Sequence, residues 1–372
     1  MKFVVQTIVS VVLLVAVIGA PAIAQDEGRR INILFIGNSF TFSNRMPQYV
    51  KQVMEEGQPD LHVHVDQCVY GGKDMFSHRL YYFSDSMIRL NSIKPAEIKE
   101  RIEEMTALTK LEEAPDNYTQ YWKNVGRRAR PWPVTRQAID TAIRNHQQLL
   151  KRINDGDRLK WDYVVLQSWF DVVEAPDQGY AKYAGELAEI AKAEGAKVVL
   201  YITAPRAQNG KPVDGPQAAE LTELEMKAVG RMARRIDAAA VVPVGLAINN
   251  IQRGGTDYTF RYVDNLHPDQ TGTYLTANMF YAALLGRSPA GLPFNSVTCS
   301  VVREGKDPDG NPPKLVLGKE QCEYLQTAAY DAVEQFKRYH ADEQWIAIGE
   351  DVFPSSEDPY FQELREQCIF NG

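Results

Sequence analysis

The stretch Ile31–Ser39, INILFIGNS, is a nearly continuous apolar run that stops at a glycine followed by two polar residues. Such a run is typical of a strand in a parallel sheet, because helices cover both faces of that kind of sheet. Four further apolar runs follow, at residues 61–70, 161–166, 197–203 and 238–244. The sequence therefore predicts five strands in one parallel sheet.

Helical patterns alternate with these strands. Apolar residues recur at helical spacing in residues 46–54, 134–153, 180–194 and 218–236, and again in residues 271–285 after the last strand. Strands and helices that alternate in this way form right-handed crossovers and place helices on both faces of the sheet. We therefore predict an α/β protein, a three-layer α/β/α sandwich around a five-stranded parallel sheet.

Two segments fall outside this alternation. Residues 73–132 separate the second strand from its helix, and apolar residues at helical spacing after Pro95 predict an amphipathic helix there, so we expect an inserted helical cap. Residues 287–372 form a C-terminal extension that we expect to pack on the core. In it we predict strands at Val301-Val302 and at residues 315–317 around a turn at 307–313, then a helix over 319–339. The core domain would span residues 25–286.

The first 24 residues have the pattern of a secretory signal peptide. Lys2 gives the positive end, residues 11–18 lie in an apolar stretch, and Ala22-Ile23-Ala24 fits a cleavage site. We expect cleavage after Ala24 and a secreted or periplasmic protein with no membrane attachment. The alternative is an uncleaved membrane anchor.

The composition is that of an ordinary globular protein. Of 372 residues 44% are hydrophobic and 24% charged, which argues against disorder, and the net charge of −7 argues against binding to nucleic acid or anionic membranes. The four cysteines match no zinc-binding spacing. Cys299 and Cys322 flank the predicted turn of the extension, so we expect them to form a disulfide, with Cys68–Cys299 as the alternative.

Two loops carry residues suited to nucleophilic catalysis. Ser39 follows the first strand in a tight turn before a helix, which would expose its hydroxyl at the sheet edge where ligands bind; the alternative is a serine that only caps the helix. Asp264 and His267 stand together between the last strand and the last helix of the core. An aspartate three residues before a histidine can accept from its Nδ1–H and leave Nε2 facing the nucleophile. Both loops should lie at the same edge of the sheet.

These residues resemble the motifs of a known family. Residues 33–39 followed by Phe40-Thr41 resemble the first block of the SGNH (GDSL-like) hydrolases in a G-N-S-F-T variant, and residues 264–267 resemble the last block. The resemblance covers about residues 31–286. It implies a flavodoxin-like sandwich and ester hydrolysis, with Ser39 as the nucleophile, His267 as the base and Asp264 as its orienting partner.

The same resemblance implies an oxyanion hole built from three loops. The backbone N–H of Ser39 and a glycine N–H would be two donors, and Gly72 fits the glycine position better than its neighbour Gly71. The family's asparagine is missing, and Gln167 stands at the corresponding strand end with the same carboxamide on a longer arm. The chemistry requires no metal and no cofactor.

The sequence thus predicts a secreted serine esterase that acts on a small acyl ester, with O-acetyl groups on a carbohydrate as the expected substrate. A non-catalytic carbohydrate-binding protein on the same fold is one alternative, because the family's asparagine is absent. A metal-dependent hydrolase built on His62, His64 and Asp66 is another. Several aromatic residues could stack on sugars or form the core of the cap, and these are Tyr121, Trp122, Trp132 and Trp169.

Overall fold

The computed structural model describes residues 28–124, 129, 131–167, 179–203, 226, 229–264 and 266–341. The predicted signal peptide and its cleavage site lie outside the described residues, as do Trp169, Cys368 and most of the helix predicted at 218–236. Among the described helices, none is both long enough and apolar enough to cross a membrane.

The centre of the fold is a sheet of five parallel strands in the order β2-β1-β3-β4-β5. The strands are β1 (Arg30–Gly37), β2 (His62–Val69), β3 (Tyr163–Gln167), β4 (Lys197–Ile202) and β5 (Ala240–Pro243). Residues 33–36 of β1 are fully buried, as the apolar run predicted. The strand order reverses at β1, as in flavodoxin-like folds, where ligands bind between β1 and β3. The predicted three-layer sandwich is confirmed.

Helices form a layer on each face of the sheet. The first layer contains α2 (Met46–Gly57), α9 (Val244–Arg253), α10 (Gln270–Leu285) and α11 (Lys319–Ala341), and the second contains α7 (Trp132–Asn154) and α8 (Tyr180–Ala193). A single turn, α1 (Ser39–Phe42), joins β1 to α2 through the 3₁₀ segment Ser43–Arg45. Helix α9 was not predicted, because it continues the apolar run of β5 without a break.

The described residues of the insertion form four helices, α3 (Met75–Leu80), α4 (Asp85–Ile88), α5 (Pro95–Thr109) and α6 (Asp116–Asn124). Helix α5 begins at Pro95 as predicted and packs on α7, whereas α3 and α4 pack on α8. Tyr121 and Phe76 stack with ring centroids 3.8 Å apart, and both rings are buried. Trp122 and Trp132 are also buried, so these aromatics form the core of the insertion and offer no surface for a sugar.

The extension contains a short hairpin and the helix α11. Its strands are β6 (Ser296–Thr298) and β7 (Lys314–Val316), which pair in antiparallel register. The prediction of a strand at Val301-Val302 was wrong. The strand lies five residues earlier because Val297 is the residue whose side chain is buried, whereas Val301 and Val302 are exposed.

The predicted disulfide in the extension was also wrong, because Cys68, Cys299 and Cys322 are free, buried thiols. Cys299 follows β6, and its Sγ lies 3.1 Å from the carbonyl oxygen of Val301. Cys322 lies in the first turns of α11 with its Sγ 3.8 Å from the Leu317 carbonyl. The thiols of Cys299 and Cys322 are thus each directed at a carbonyl of the extension and not at each other.

Candidate active site

Ser39 lies at the carboxyl end of β1, at the point where the strand order reverses. It is the first residue of α1, and its side chain is nearly buried, with 8% of the residue exposed. Asn38 caps this turn, since its side-chain oxygen accepts a hydrogen bond from the Phe40 N–H at 3.1 Å. The capping role that the sequence left open for Ser39 therefore belongs to Asn38.

The backbone N–H of Ser39 is the first of its helix turn. The next three N–H groups all donate to Asn38, that of Phe40 to its side chain and those of Thr41 and Phe42 to its carbonyl. The Ser39 N–H has no acceptor among the described residues. An N–H at the start of a helix favours negative charge, so this group can act as an oxyanion donor.

Asp264 and His267 form the hydrogen-bonded pair that their spacing predicted. Nδ1 of His267 lies 2.6 Å from Oδ2 of Asp264. The other carboxylate oxygen accepts from the backbone N–H of Leu266 at 2.9 Å and from that of His267 at 3.0 Å. With Nδ1 donating to the carboxylate, Nε2 of His267 carries the lone pair that a general base needs.

Hydrogen bonds stabilise the negative charge of Asp264. Burial alone would raise its pKa, but the hydrogen bond from the His267 side chain and those from two backbone N–H groups outweigh this effect. The pKa of Asp264 therefore lies below its ordinary value. The carboxylate is ionised at neutral pH and can stabilise an imidazolium at His267.

The Ser39 turn and the His267 loop meet through two side chains. The rings of Phe40 and His267 lie 6.5 Å apart, and the guanidinium carbon of Arg261 lies 5.0 Å from the centre of the Phe40 ring. Arg261 also donates to the carbonyl of Leu266, beside His267. Within the described residues no hydrogen bond joins Ser39 to His267. The structure brings the two loops into contact but leaves this bond unformed.

The glycine turn after β2 lies against the same helix start. The side-chain amide of Asn38 donates to the carbonyl of Lys73 at 3.0 Å, which fixes the turn beside Ser39. Gly72 has φ of 62°, a backbone conformation that favours glycine, so the turn itself explains this residue type. Among the described residues, neither the N–H of Gly71 nor that of Gly72 has an acceptor, so the hydrogen bonds do not favour one of them over the other. An oxyanion role for Gly72 remains a prediction.

Gln167 ends β3 at the expected place but is engaged with Asn38. Its Oε1 accepts from the Asn38 N–H and from the Thr41 hydroxyl, both at 2.8 Å. Its Nε2 donates to the Asn38 side-chain oxygen at 3.0 Å. These contacts favour a role in which Gln167 holds the cap of α1, whereas donation to an oxyanion remains a prediction.

Sequence reasoning missed two residues that join the loops, Arg261 and Asn44. Asn44 is buried in the left-handed conformation with φ of 52°, and its amide donates to the Pro268 carbonyl at 3.1 Å. Asparagine tolerates this conformation better than most residues, so its position after the Ser39 turn was a weak available signal. Arg261 had no such signal, because its partners depend on the tertiary fold.

Two residues of the metal-dependent alternative, His64 and Asp66, make contacts that do not form a shared site. His64 stacks on Trp161 with ring centroids 6.1 Å apart, and Asp66 forms an ion pair with Arg152 at 2.8 Å. Burial lowers the pKa of His64. No group of three or more potential metal ligands occurs in the described part of the chain.

His78 is fully buried beside the glycine turn. Its Nε2 lies 2.8 Å from the Gly37 carbonyl and its Nδ1 lies 2.7 Å from the Ser84 hydroxyl. Both ring nitrogens are therefore used inside the protein. Burial lowers the pKa of His78 to about 4, so the ring is neutral at physiological pH.

The chain matches no family model, and no curated protein matches it either. Two solved structures are similar to it. One is a DUF4886 family protein from Bacteroides uniformis, 17% identical with a TM-score of 0.44, and the alignment covers 82% of this chain and 95% of that one. The other, from Slackia heliotrinireducens and provisionally described as an SGNH hydrolase, is 18% identical with a TM-score of 0.36, covering 69% and 100% of the two chains. At these TM-scores neither structure assigns a function to this chain.

Proposed function

We propose that this protein is a serine hydrolase that cleaves ester bonds. The observation that carries the proposal is the Asp264–His267 pair, in which one carboxylate holds both the ring and the backbone of the histidine at 2.6–3.0 Å. This pair lies on a loop that contacts the turn of Ser39. A hydroxyl at a helix start, a neutral imidazole and an ionised carboxylate are the groups that acyl transfer through a serine requires.

In the proposed reaction, Nε2 of His267 takes the proton of the Ser39 hydroxyl as the oxygen attacks the ester carbonyl. Asp264 stabilises the imidazolium that results, and the backbone N–H groups of Ser39 and Gly72 receive the oxyanion. His267 then gives its proton to the leaving alcohol, and an acyl-enzyme forms. Water, deprotonated by His267, attacks the acyl-enzyme and releases the acid. Small movements of the two loops would first bring Ser39 within hydrogen-bonding reach of His267.

For the substrate we propose a small acyl ester, with O-acetyl groups on a carbohydrate as the specific class. This part is supported by the predicted export of the chain and by the resemblance to SGNH hydrolases. The buried aromatics of the insertion do not contribute to it. A panel of acetylated oligosaccharides and simple acyl esters, with detection of the free acid, tests the class directly.

The reaction is tested with a fluorophosphonate probe and with p-nitrophenyl acetate. We expect wild type to be labelled and active, and Ser39→Ala and His267→Ala each to lose both properties. Ser43→Ala is the matched control, because Ser43 is also buried and lies four residues later in the same segment. This control should keep labelling and activity within about twofold, as expected of a change outside the reacting groups.

Other outcomes identify the alternatives. A wild-type protein that is folded but unlabelled, and that binds glycans, would be a non-catalytic binding protein. Hydrolysis that a chelator abolishes and that His62→Ala reduces would support the metal-dependent alternative. Labelling that survives in Ser39→Ala would move the nucleophile to another residue.

A further inference from the structure

Arg261 is a buried cation between the two loops of the proposed site. Only 3% of the residue is exposed, and burial lowers its pKa to about 10, so the guanidinium remains charged at neutral pH. A buried charge is costly unless neighbouring groups stabilise it. The carboxylate of Asp264, whose pKa is lowered, favours the charged form here. Arg261 is thus a buried charge that stands close to an ionised carboxylate.

The first contact of Arg261 is with the residue after Ser39. Its guanidinium carbon lies 5.0 Å from the centre of the Phe40 ring, within the range of a cation–π interaction. Phe40 is itself buried, so the interaction is shielded from water. One side chain of the His267 loop thus packs directly on the helix turn that carries Ser39.

The second contact is inside the His267 loop. Arg261 donates to the carbonyl of Leu266, the residue before His267. The same loop is closed by a bridge between Arg261 and Pro268 and by a hydrogen bond of 3.0 Å from the Tyr262 N–H to the His267 carbonyl. Arg261 therefore fixes the loop from within while its guanidinium packs on Phe40.

We propose that Arg261 is a positioning residue that docks the His267 loop on the Ser39 turn, and this inference rests on the serine hydrolase function proposed above. Only an arginine combines the two contacts, because the planar guanidinium can stack on a ring and donate from its edge at the same time. A lysine could supply the charge but not this geometry. Without the contacts of Arg261, the loop would shift and move His267 relative to Ser39. A misplacement of about 1 Å can lower the rate of catalysis about 10²-fold.

The test compares kcat and KM for p-nitrophenyl acetate in four variants, Arg261→Met, Arg261→Lys, Phe40→Leu and the double variant Phe40→Leu/Arg261→Met. For Arg261→Met we expect kcat to fall about 10- to 100-fold while KM stays within about threefold. Arg261→Lys should recover less than about a fifth of the lost kcat, since it restores the charge alone. The double variant should be within about threefold of Arg261→Met, because both changes remove the same contact.

The control is Arg152→Met, which removes an arginine that is paired with Asp66 and Asp157 outside the site. It should lower stability without changing kcat. An unchanged kcat in Arg261→Met, full recovery by lysine, or losses that multiply in the double variant would each overturn the positioning role.

Hydrogen exchange of the backbone separates this inference from the proposed function. In Arg261→Met the amide of Tyr262 should exchange at least about tenfold faster than in wild type, with the amides of β1 unchanged. A wild type without esterase activity but with this difference would refute the proposed function and keep the docking role of Arg261. An exchange rate that does not change would refute the docking role whatever the activity.

Discussion

Gln167 holds Asn38 through both ends of its side-chain amide. Its oxygen accepts the Asn38 N–H at 2.8 Å and its nitrogen donates to the Asn38 side-chain oxygen at 3.0 Å. All four groups are buried, and Asn38 in turn caps the helix turn that begins at Ser39. The end of β3 is thus connected to the Ser39 turn through one amide.

Replacing Gln167 by alanine should therefore reduce stability as well as activity. The change leaves the Asn38 N–H and the Thr41 hydroxyl buried without their acceptor, which should cost about 2–4 kcal/mol in the free energy of unfolding. Urea unfolding measures this loss, and Gln48→Ala, an exposed glutamine on α2, is the control. A variant of wild-type stability whose kcat alone falls about 10²-fold would instead show that Gln167 donates to the oxyanion.

Asp264→Asn should separate the orientation of His267 from the fold of its loop. An asparagine can still accept from the backbone N–H groups of Leu266 and His267, so the loop should stay closed. It cannot stabilise an imidazolium, and it favours the wrong tautomer of the ring. We expect kcat to fall about 10²- to 10⁴-fold at nearly unchanged melting temperature. Asp257→Asn, an exposed carboxylate outside the loop, is the control, and an Asp264→Asn variant with full activity would rule out the pair.

His78 should make the protein acid-sensitive. The folded protein resists protonation of this ring until about pH 4, whereas the unfolded chain takes up the proton near pH 6.5. Between these values the unfolded state binds more protons, so the stabilising contribution is complete above about pH 6.5 and is lost as the pH falls toward 4. A difference of this size corresponds to about 3 kcal/mol.

His78→Gln tests this contribution, because glutamine can donate and accept hydrogen bonds but does not titrate. We expect the unfolding free energy of this variant to fall less steeply than that of wild type between pH 6.5 and 4. His62→Gln changes an exposed histidine and should follow the wild-type curve. Identical slopes for His78→Gln and wild type would mean that His78 does not titrate in this range.

The three described cysteines should be unreactive in the folded protein. Cys68 is fully buried, and burial raises the pKa of its thiol to about 11, which suppresses the reactive thiolate. Cys299 and Cys322 are buried as well. In a Cys368→Ala variant, a thiol reagent should label no cysteine in the native state and three after unfolding without reductant. Labelling that requires a reductant would instead indicate a disulfide.

The parts of this structure that were predictable depend on contacts near in sequence. The run at residues 31–36 predicted a central strand because burial on both faces leaves a continuous apolar pattern. Asp264 and His267 were paired correctly because a spacing of three residues on one loop brings them together. Arg261 and Gln167 act through residues more than 100 positions away, and no local pattern reports such contacts.

Asn44 is the subject of the last prediction, because it connects the segment that follows Ser39 to two other parts of the chain. Its amide nitrogen donates to the Pro268 carbonyl at 3.1 Å, next to His267. Its amide oxygen accepts from the Tyr262 hydroxyl and from the Ser300 N–H of the extension, both at 3.2 Å. Asn44→Ala should remove all these bonds and place alanine in the left-handed conformation, at a cost of about 3–5 kcal/mol.

Two further variants at Asn44 separate these effects. Asn44→Gly removes the same hydrogen bonds but accepts φ of 52°, so it should be about 1 kcal/mol more stable than Asn44→Ala. Asn44→Asp keeps both acceptor contacts but replaces the donor to Pro268 by a carboxylate oxygen, which the Pro268 carbonyl repels. The extension should therefore stay attached while the loop of His267 is released. We therefore expect Asn44→Asp to lose about tenfold in kcat, and Ser300→Ala, which affects the extension side alone, to keep wild-type kcat. Equal kcat in Asn44→Asp and wild type, measured with p-nitrophenyl acetate, would show that Asn44 supports the fold but does not position His267.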